Sequence, residues 1–413
     1  MKVLIVDVSS KLGTVGGAQR VAANLFYELR EKGVDTYYFG YKTHFLEDHK
    51  KAMFIGAGAK QKGLVKSMGS GGARAKLIES KPVRIAYYTF YSMTGIDVSG
   101  YGEWLMKVNP DVVVSNSIQD FVVLKKMKRY LKDAKFVYID HANVAGDYNG
   151  SLDYNIMALS FGTGHYIGLD RARKRHLGFF DGVIALNRTQ ERAIRKFNSN
   201  VTVIHSGPNF SLDKIEKSKV EEVKKSLGLS KSDKVVLYVG RLAEAQKNLS
   251  TLIRACKSIE DEHLKLVIYG GGGKSGDLYR QLAAGDERIH IVESGASGMV
   301  PYYYINSGLY VLPSIWEGFN ATLIEAATFG VPLLLSTKSI NEDIVERFGK
   351  RLCLFDPHDQ KGLESKIEKC FADRALRRRL VLLSKDIAFE YSKKKQMELY
   401  VTVLKRLSET GKV

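Results

Sequence analysis

The sequence predicts an α/β protein of two domains, each built on a parallel sheet. Short apolar runs closed by Gly or Pro recur along the chain and alternate with helical patterns, the signature of strand–helix–strand units. At 413 residues the chain exceeds what one hydrophobic core usually supports. The stretch Tyr310–Ser336, YVLPSIWEGFNATLIEAATFGVPLLLS, reads strand, tight turn, helix and strand without interruption.

The chain opens with Lys2–Val8 as a buried strand, followed by a loop that ends in Gly16-Gly17. A helix is predicted over Ala18–Lys32, with Val21, Leu25, Phe26 and Leu29 on one face and Gly33 as its stop. Val34–Phe39 returns as a strand. Pro82–Phe90, Val112–Ser115, Phe136–Asp140, Gly182–Leu186 and Val201–His205 read as further parallel strands. A basic helix, Phe121–Lys132, precedes the strand that ends at His141, and Arg171–His176 forms a second basic cluster on a helix.

A turn, IHSGPNF at 204–210, marks a domain boundary near residue 208. Beyond it lie a charged helix, the strand Lys234–Gly240, a polar turn from Arg241 to Lys247 and a helix over Asn248–Cys256. Leu264–Tyr269 is a strand closed by Gly270–Gly273, glycines read as backbone clearance beside a ligand. In Tyr310–Ser336 the strands are Tyr310–Pro313 and Val331–Ser336. Asn320 caps the helix Ala321–Phe329, and Gly330 ends it. The segment from about Leu376 to Leu407 is basic and helical, placed to cross back onto the first domain.

Composition narrows the function. Apolar residues make up 45% and charged residues 26% of the chain, ordinary for a globular protein. No apolar run reaches the roughly 18–20 residues needed to span a bilayer. The N-terminal MKVLIVDVSS is too short and too interrupted for a signal peptide, so a cytoplasmic location is expected. Cys256, Cys353 and Cys370 lack metal-ligand spacing and read as inert thiols in a reducing compartment.

The net charge of +18 is uneven: residues 1–205 hold 30 Lys and Arg against 18 Asp and Glu, leaving 33 against 27 for the remainder. That asymmetry suggests an anionic partner for the first half. Residues 50–84 alone carry nine basic side chains and one acid, Glu79. They read either as a solvated loop or as a flap for anionic lipid or an acceptor phosphate. A nucleic-acid partner is not expected, because no recognition module is present and the basic residues are not interleaved with stacking aromatics.

Candidate site residues gather after strand ends, where open α/β sheets hold their ligands. Glu317 lies in such a turn, and Glu325 lies in a mostly apolar helix, where a buried carboxylate needs partners. Singly, each has an ordinary explanation as a loop acid or a solvated helix position. Together with Gly318 and a helix start offering N–H groups, they suit a ligand carrying both a vicinal diol and a phosphate. Arg241 and Lys247 are six apart and can reach one diphosphate. His141 stands at a strand end, as a sugar-contacting or catalytic residue would. Gly16-Gly17 opens a helix but is not GxGxxG and lacks the acid a dinucleotide ribose needs. The run at 270–275, GGGGKS, fails as a phosphate loop, since Ile268 stands where the first glycine belongs.

With these residues in view, the chain resembles the retaining glycosyltransferases of family four. The resemblance is carried by GGAQRVAANL from Gly16, GRLAEAQKN from Gly240, and PSIWEGFNATLIEAATFGVP from Pro313. It implies the GT-B fold: two Rossmann-like domains with parallel sheets facing across a cleft and a C-terminal helix crossing back to the first. The implied domains are residues 1–208, an acceptor-binding domain joined by a helix of about 385–413, and 209–384, a nucleotide-sugar domain. Position by position it implies that Arg241 and Lys247 neutralise the donor diphosphate and that Glu325 holds the ribose. Glu317, with the backbone of Gly318 and Phe319, would contact the transferred sugar, and Asn320 would belong to the same donor-binding set. His141 would touch the sugar from the first domain, Gly16 and Gly17 would flank the phosphates, and Met299 and Val300 would lie where the base is held.

The expected reaction is metal-independent, cofactor-free hexosyl transfer from a nucleotide-diphosphate sugar to an anionic, lipid-linked or glycan acceptor, at the cytoplasmic membrane face. With no Asp-x-Asp motif, Arg241 and Lys247 stand in for a metal. The alternative is a non-catalytic nucleotide-sugar-binding subunit. Two departures bear on donor identity: Lys338–Glu342 replaces a Gly-Gly turn, and Asn320 stands where glycine is frequent.

Overall fold

The structure is a computed structural model; it describes residues 1–8, 17–41, 46, 49–55, 98–117, 120–141, 169–210, 215–271, 275–293 and 297–413. The chain divides into two compact units. One comprises Met1–Ile204 with Met397–Val413, the other His205–Gln396. Most of the basic 50–84 segment, the Pro82–Phe90 strand, Gly16 and the glycines 272–273 lie outside the described residues.

The first unit holds seven strands: β1 (Lys2–Asp7), β2 (Asp35–Gly40), β3 (Ala52–Phe54), β4 (Val112–Ser115), β5 (Lys135–Ile139), β6 (Gly182–Ala185) and β7 (Val201–Val203). They form one sheet in the order β3-β2-β1-β4-β5-β6-β7, and every pairing is parallel. Because crossover helices cover both faces of such a sheet, its central strands are apolar at successive positions. Val3–Val6 and Val112–Val114 are each 0% exposed. The helix Gly17–Glu31 makes the first crossover and buries Ala22, Leu25, Phe26 and Leu29.

The second unit repeats the plan with β8 (Lys234–Val239), β9 (Leu264–Gly270), β10 (Ile289–Glu293), β11 (Leu309–Leu312), β12 (Leu333–Ser336) and β13 (Cys353–Phe355), in the order β10-β9-β8-β11-β12-β13. In both sheets the order runs outward in opposite directions from the first strand, the doubly wound Rossmann arrangement. The reversal falls between β1 and β4 in one unit and between β8 and β11 in the other.

The C-terminal helix Lys393–Thr410 carries the chain back to the first unit. Its end is fixed there by Asn200, whose Nδ2 donates to the Gly411 carbonyl at 2.9 Å and whose Oδ1 accepts the Val413 N–H at 2.9 Å. Gly182 leaves the space the Val413 side chain fills; a Cβ at Gly182 would lie 2.2 Å from it. Among the described residues no helix is long and apolar enough to cross a membrane.

Three expectations change. The basic helix stops at Met127 rather than Lys132. The cluster at Arg171–His176 is split: Arg173 and His176 are buried at 6% and 1%, and Lys174 and Arg175 alone of the four described side chains face solvent. The clearance at Gly270 serves the backbone, since a Cβ there would lie 1.9 Å from the Gly240 carbonyl oxygen. Strands β3, β10 and β13 have no counterpart in the sequence reading.

His176 sits among Phe121, Tyr138 and Phe180, with ring centroids 4.9, 5.0 and 5.4 Å away. Burial pushes its pKa down to about 3, so the folded protein holds it neutral while the unfolded chain takes up a proton near pH 6.5. Stability is therefore fully present above that value and is lost as the pH falls towards 3. At pH 4.5 the loss from this group is about 2–3 kcal/mol. We expect His176→Phe to melt with a smaller drop between pH 7 and 4.5 than the wild type, measured by calorimetry at both pH values.

Candidate active site at the strand ends of the second sheet

β8 and β11 lie side by side, with Leu309 opposite Val236 and Tyr310 opposite Leu237. Their following loops part in opposite directions and leave a crevice at their carboxyl ends. Past β8 the chain runs through Gly240 and Arg241 into a single helical turn, Glu244–Lys247, where a polar turn was expected. Past β11 it runs through Pro313–Asn320 into the helix Ala321–Thr328.

Gln246 joins the two loops. Its carbonyl accepts the Ile315 N–H at 2.8 Å, its Nε2 donates to the Trp316 carbonyl at 3.3 Å, and its Oε1 accepts from Arg241 Nη2 at 2.8 Å. Next to it, Lys247 Nζ lies 2.5 Å from Glu317 Oε1, with the two side chains only 10% and 8% exposed. Ser314 Oγ donates to the same oxygen at 2.5 Å, and Gln246 Nε2 stands 3.5 Å from Oε2. Asn248, in left-handed conformation at φ 49°, donates from Nδ2 to the carbonyls of Pro357 at 2.7 Å and Pro313 at 3.4 Å. The network around Gln246 thus gathers two cations, Arg241 and Lys247, against one carboxylate, Glu317. Arg241 is exposed, so its guanidinium is open to an anion from solvent.

Glu325 is 3% exposed on the apolar helix. A carboxylate so buried needs hydrogen-bond donors. Its Oε1 accepts from Asn209 Nδ2 at 2.9 Å and from the Asn209 N–H at 3.3 Å; its Oε2 accepts from Tyr304 Oη at 3.1 Å. Burial first, then the Glu325 charge, hold the Tyr304 hydroxyl protonated as that donor.

The start of the helix is less open than expected. Asn320 Oδ1 accepts the Thr322 N–H at 2.9 Å, the Thr322 hydroxyl at 2.6 Å and the Leu323 N–H at 3.4 Å. The cap therefore takes two of the N–H groups anticipated for a ligand. Gly318 and Phe319 precede it in the loop. Val300 is 7% exposed in the core, and Met299 borders a cavity of about 250 Å³ with Tyr269 and Tyr303.

The remaining candidates belong to the first unit. Gly17 opens its first helix. His141 follows β5, with its Nε2 enclosed and its pKa pushed down to about 4 by burial, so the ring is neutral at pH 7. The structure thus pairs Lys247 with Glu317 directly, brings Arg241 to them through Gln246, and places Gly318, Phe319, Asn320 and Glu325 in the same strand–loop–helix unit. Gln246, Ser314, Asn209 and Tyr304 were missed by sequence reasoning. Gln246 had a usable signal, a polar side chain beside Lys247 in a strand-end turn. Asn209 and Tyr304 had none, being 116 and 21 residues from their partner.

Residues 219–382 match the family described as Glycosyl transferases group 1. The glycosyltransferase of Bacillus subtilis named for teichuronic acid biosynthesis, TuaC, is 31% identical over 177 residues, 41% of this chain and 42% of that protein. The chain thus spans about two fifths of that relative's length. Among solved structures, a sucrose-phosphate synthase from Thermosynechococcus elongatus superposes with a TM-score of 0.69 at 19% identity, covering 98% of both chains. HepE from Anabaena, solved with UDP-glucose, superposes with a TM-score of 0.65 at 16% identity, covering 99% of both. Both likenesses give the fold, which is GT-B.

Removing one member of a buried ion pair strands the other charge, typically at about 3–5 kcal/mol. Lys247→Met should therefore destabilise the second unit by an amount in that range. Adding Glu317→Gln should recover most of it, because the amide still accepts from Ser314. Denaturant unfolding of the two single variants and the double variant measures the coupling, and additive effects would contradict it.

Proposed function

We propose that this chain, whose residues 219–382 belong to the group 1 glycosyl transferases, moves a hexose from a nucleotide-diphosphate sugar to an acceptor hydroxyl with retention and without a metal. The observation that carries this reading is the surplus positive charge around Gln246 at the reversal point of the second sheet. The name of the TuaC relative and the UDP-glucose held by the HepE neighbour agree with it.

In this reading the donor diphosphate meets Arg241 and Lys247. Lys247 has three N–H donors, so it keeps Glu317 and still reaches a phosphate oxygen. Arg241 forks onto two oxygens. Glu325, oriented by Asn209 and Tyr304, accepts from the ribose diol. Glu317 and the Gly318–Phe319 backbone face the sugar, and Asn320 holds their loop to the helix. Met299 borders the base; Val300 is too enclosed to offer more than its main chain.

As the anomeric C–O bond breaks, charge grows on the leaving phosphate, and fixed cations stabilise it more in the transition state than in the bound donor. The acceptor oxygen bonds to the anomeric carbon on the same face, and its proton passes to the leaving phosphate. Each charge-assisted contact supplies about 1.5–3 kcal/mol, roughly ten- to a hundredfold in rate. The basic first half suits an anionic acceptor or the anionic face of a membrane.

A panel of nucleotide sugars scored for nucleotide-diphosphate release tests the transferase reading. We expect turnover with at least one hexose donor, a loss of about tenfold to a hundredfold in kcat/KM for Arg241→Ala, and weaker nucleotide binding for Glu325→Ala. No turnover with any donor, together with unchanged binding in Glu325→Ala, would refute the reading. Membrane contact is tested separately by sedimentation with anionic vesicles: binding at low salt that fades as salt rises is expected, and none at low salt sinks that part.

A further inference from the structure

The segment that opens the second unit, His205–Asn209, touches both the loop that carries Glu317 and the helix that carries Glu325. At its far end Asn209 donates to Glu325. At its near end the His205 ring packs against Phe319, with ring centroids 5.3 Å apart, and against Tyr391 at 5.1 Å. Phe319 and Tyr391 meet each other edge to face at 5.5 Å, so the three rings close a triangle. Tyr391 is the C-cap of the helix Arg374–Glu390 and is 6% exposed, with the Phe348 ring 6.5 Å away.

The segment is itself held in place. His205 Nε2 stands 3.7 Å from Asp343 Oδ2, too far for a hydrogen bond but near enough for the carboxylate to hold that edge of the ring. Asp343 is 7% exposed in the helix Glu342–Phe348, which follows β12. Two residues beyond His205, Gly207 packs against Lys393 and Gln396. A Cβ at Gly207 would lie 2.9 Å from Gln396 Oε1 and 3.3 Å from the Lys393 Cα.

The loop Pro313–Asn320 draws on this support. On one side Gln246, Lys247 and Ser314 hold it up to Glu317, and on the other the Asn320 cap ties it to its helix. Between those ties lies Phe319, with its ring against His205 and Tyr391. Histidine suits the place because one ring serves two surroundings: its carbons pack on aromatic neighbours while Nε2 meets a carboxylate.

We propose that His205 is a positioning residue. By keeping the Phe319 ring against Tyr391 it sets the Gly318–Phe319 backbone, which faces the transferred sugar in the reaction proposed above, and the inference rests on that reading. With Asn209 orienting Glu325, one short segment then governs the sugar end and the ribose end of the donor together.

The full chain has two tryptophans, Trp104 in the first unit and Trp316 three residues before Phe319. In a Trp104→Phe background, the time-resolved fluorescence anisotropy of Trp316 reports the motion of the loop with no substrate present. We expect a faster local decay in His205→Ala and a wild-type decay in His205→Phe, which keeps a ring between Phe319 and Tyr391. With the donor that the nucleotide-sugar panel identifies, His205→Ala should lose about tenfold in kcat, as a displaced contact at the reacting sugar does. Its affinity for the nucleotide diphosphate that this donor releases should not change, and His205→Phe should recover most of kcat. Unchanged anisotropy in His205→Ala, or a faster decay with kcat intact, would overturn the proposal. So would a loss of nucleotide affinity as large as the loss in kcat, the mark of a unit that is merely destabilised. If no donor is turned over, the transferase reading fails, and the anisotropy alone decides whether His205 positions the loop.

Discussion

The candidate site depends on one buried ion pair. Lys247 and Glu317 close the gap between the loops that follow β8 and β11, at 2.5 Å and nearly out of water. Two neighbouring parallel strands whose crossovers leave in opposite directions have nothing in their own ladder to hold their loops at a set distance. Here the spacing is set by side chains. Gln246 stitches the two backbones, Ser314 shares the Glu317 oxygen, and Ser336 Oγ on the next strand donates to the Ser314 carbonyl at 2.5 Å. A buried pair of this kind is weak evidence for stability, because desolvating both charges costs about as much as their attraction returns. Its value lies in position. It places one ammonium, with donors to spare, at the mouth of the crevice.

Glu325 solves a different problem on the same helix. The helix buries Leu323, Ile324, Ala326 and Ala327, and Asn209 and Tyr304 supply the carboxylate among them with donors to both of its oxygens. Asn209 stands at the beginning of the second unit, in the turn that follows its first residues. The segment at which the chain enters this unit is thereby tied to the helix that carries the carboxylate. The two glutamates, eight residues apart, differ in environment: Glu317 is paired with the Lys247 ammonium, and Glu325 accepts from an amide and a phenol. Donors on both oxygens fix the orientation of Glu325, which suits recognition of hydroxyl groups.

Much of this was legible in the sequence, and the limits have physical causes. Parallel strands in the sheet centre are apolar at every position, so β1, β4, β8 and β11 announce themselves. β13 is three residues long at a sheet edge, and β10, IHIVE, mixes polar and apolar residues on a half-covered strand. Neither exceeds the background of irregular segments. The helix cap at Asn320 was readable because a cap is local. Its consequence was not, since the N–H groups it consumes are those a ligand would need. Arg241, Lys247 and Glu317 could be nominated from their places after strands, but their pairing across 70 residues follows from the strand order, which the sequence does not write. Arg173 and His176 show the converse error. A run of basic residues on a helix looks solvated, and the 3.6-residue period turned two of them inward.

The charge arrangement also bears on how two cations are held beside one crevice. Two cations at one strand-end crevice repel each other, and an exposed pair would drift apart on flexible stems. The structure separates their duties. Lys247 is locked against Glu317, while Arg241 is held more loosely through Gln246 Oε1 at 2.8 Å and remains exposed. In the proposed function an arriving dianion would find one cation already in place and another able to swing onto it. Moving Arg241 exchanges a neutral acceptor for a charged one, a gain of a stronger, charge-assisted bond. Moving Lys247 would break the pair and leave Glu317 buried without its counter-ion. On that reading the partners set the order of commitment: Lys247 would fix where the anion sits, and Arg241 would adapt to the shape it brings.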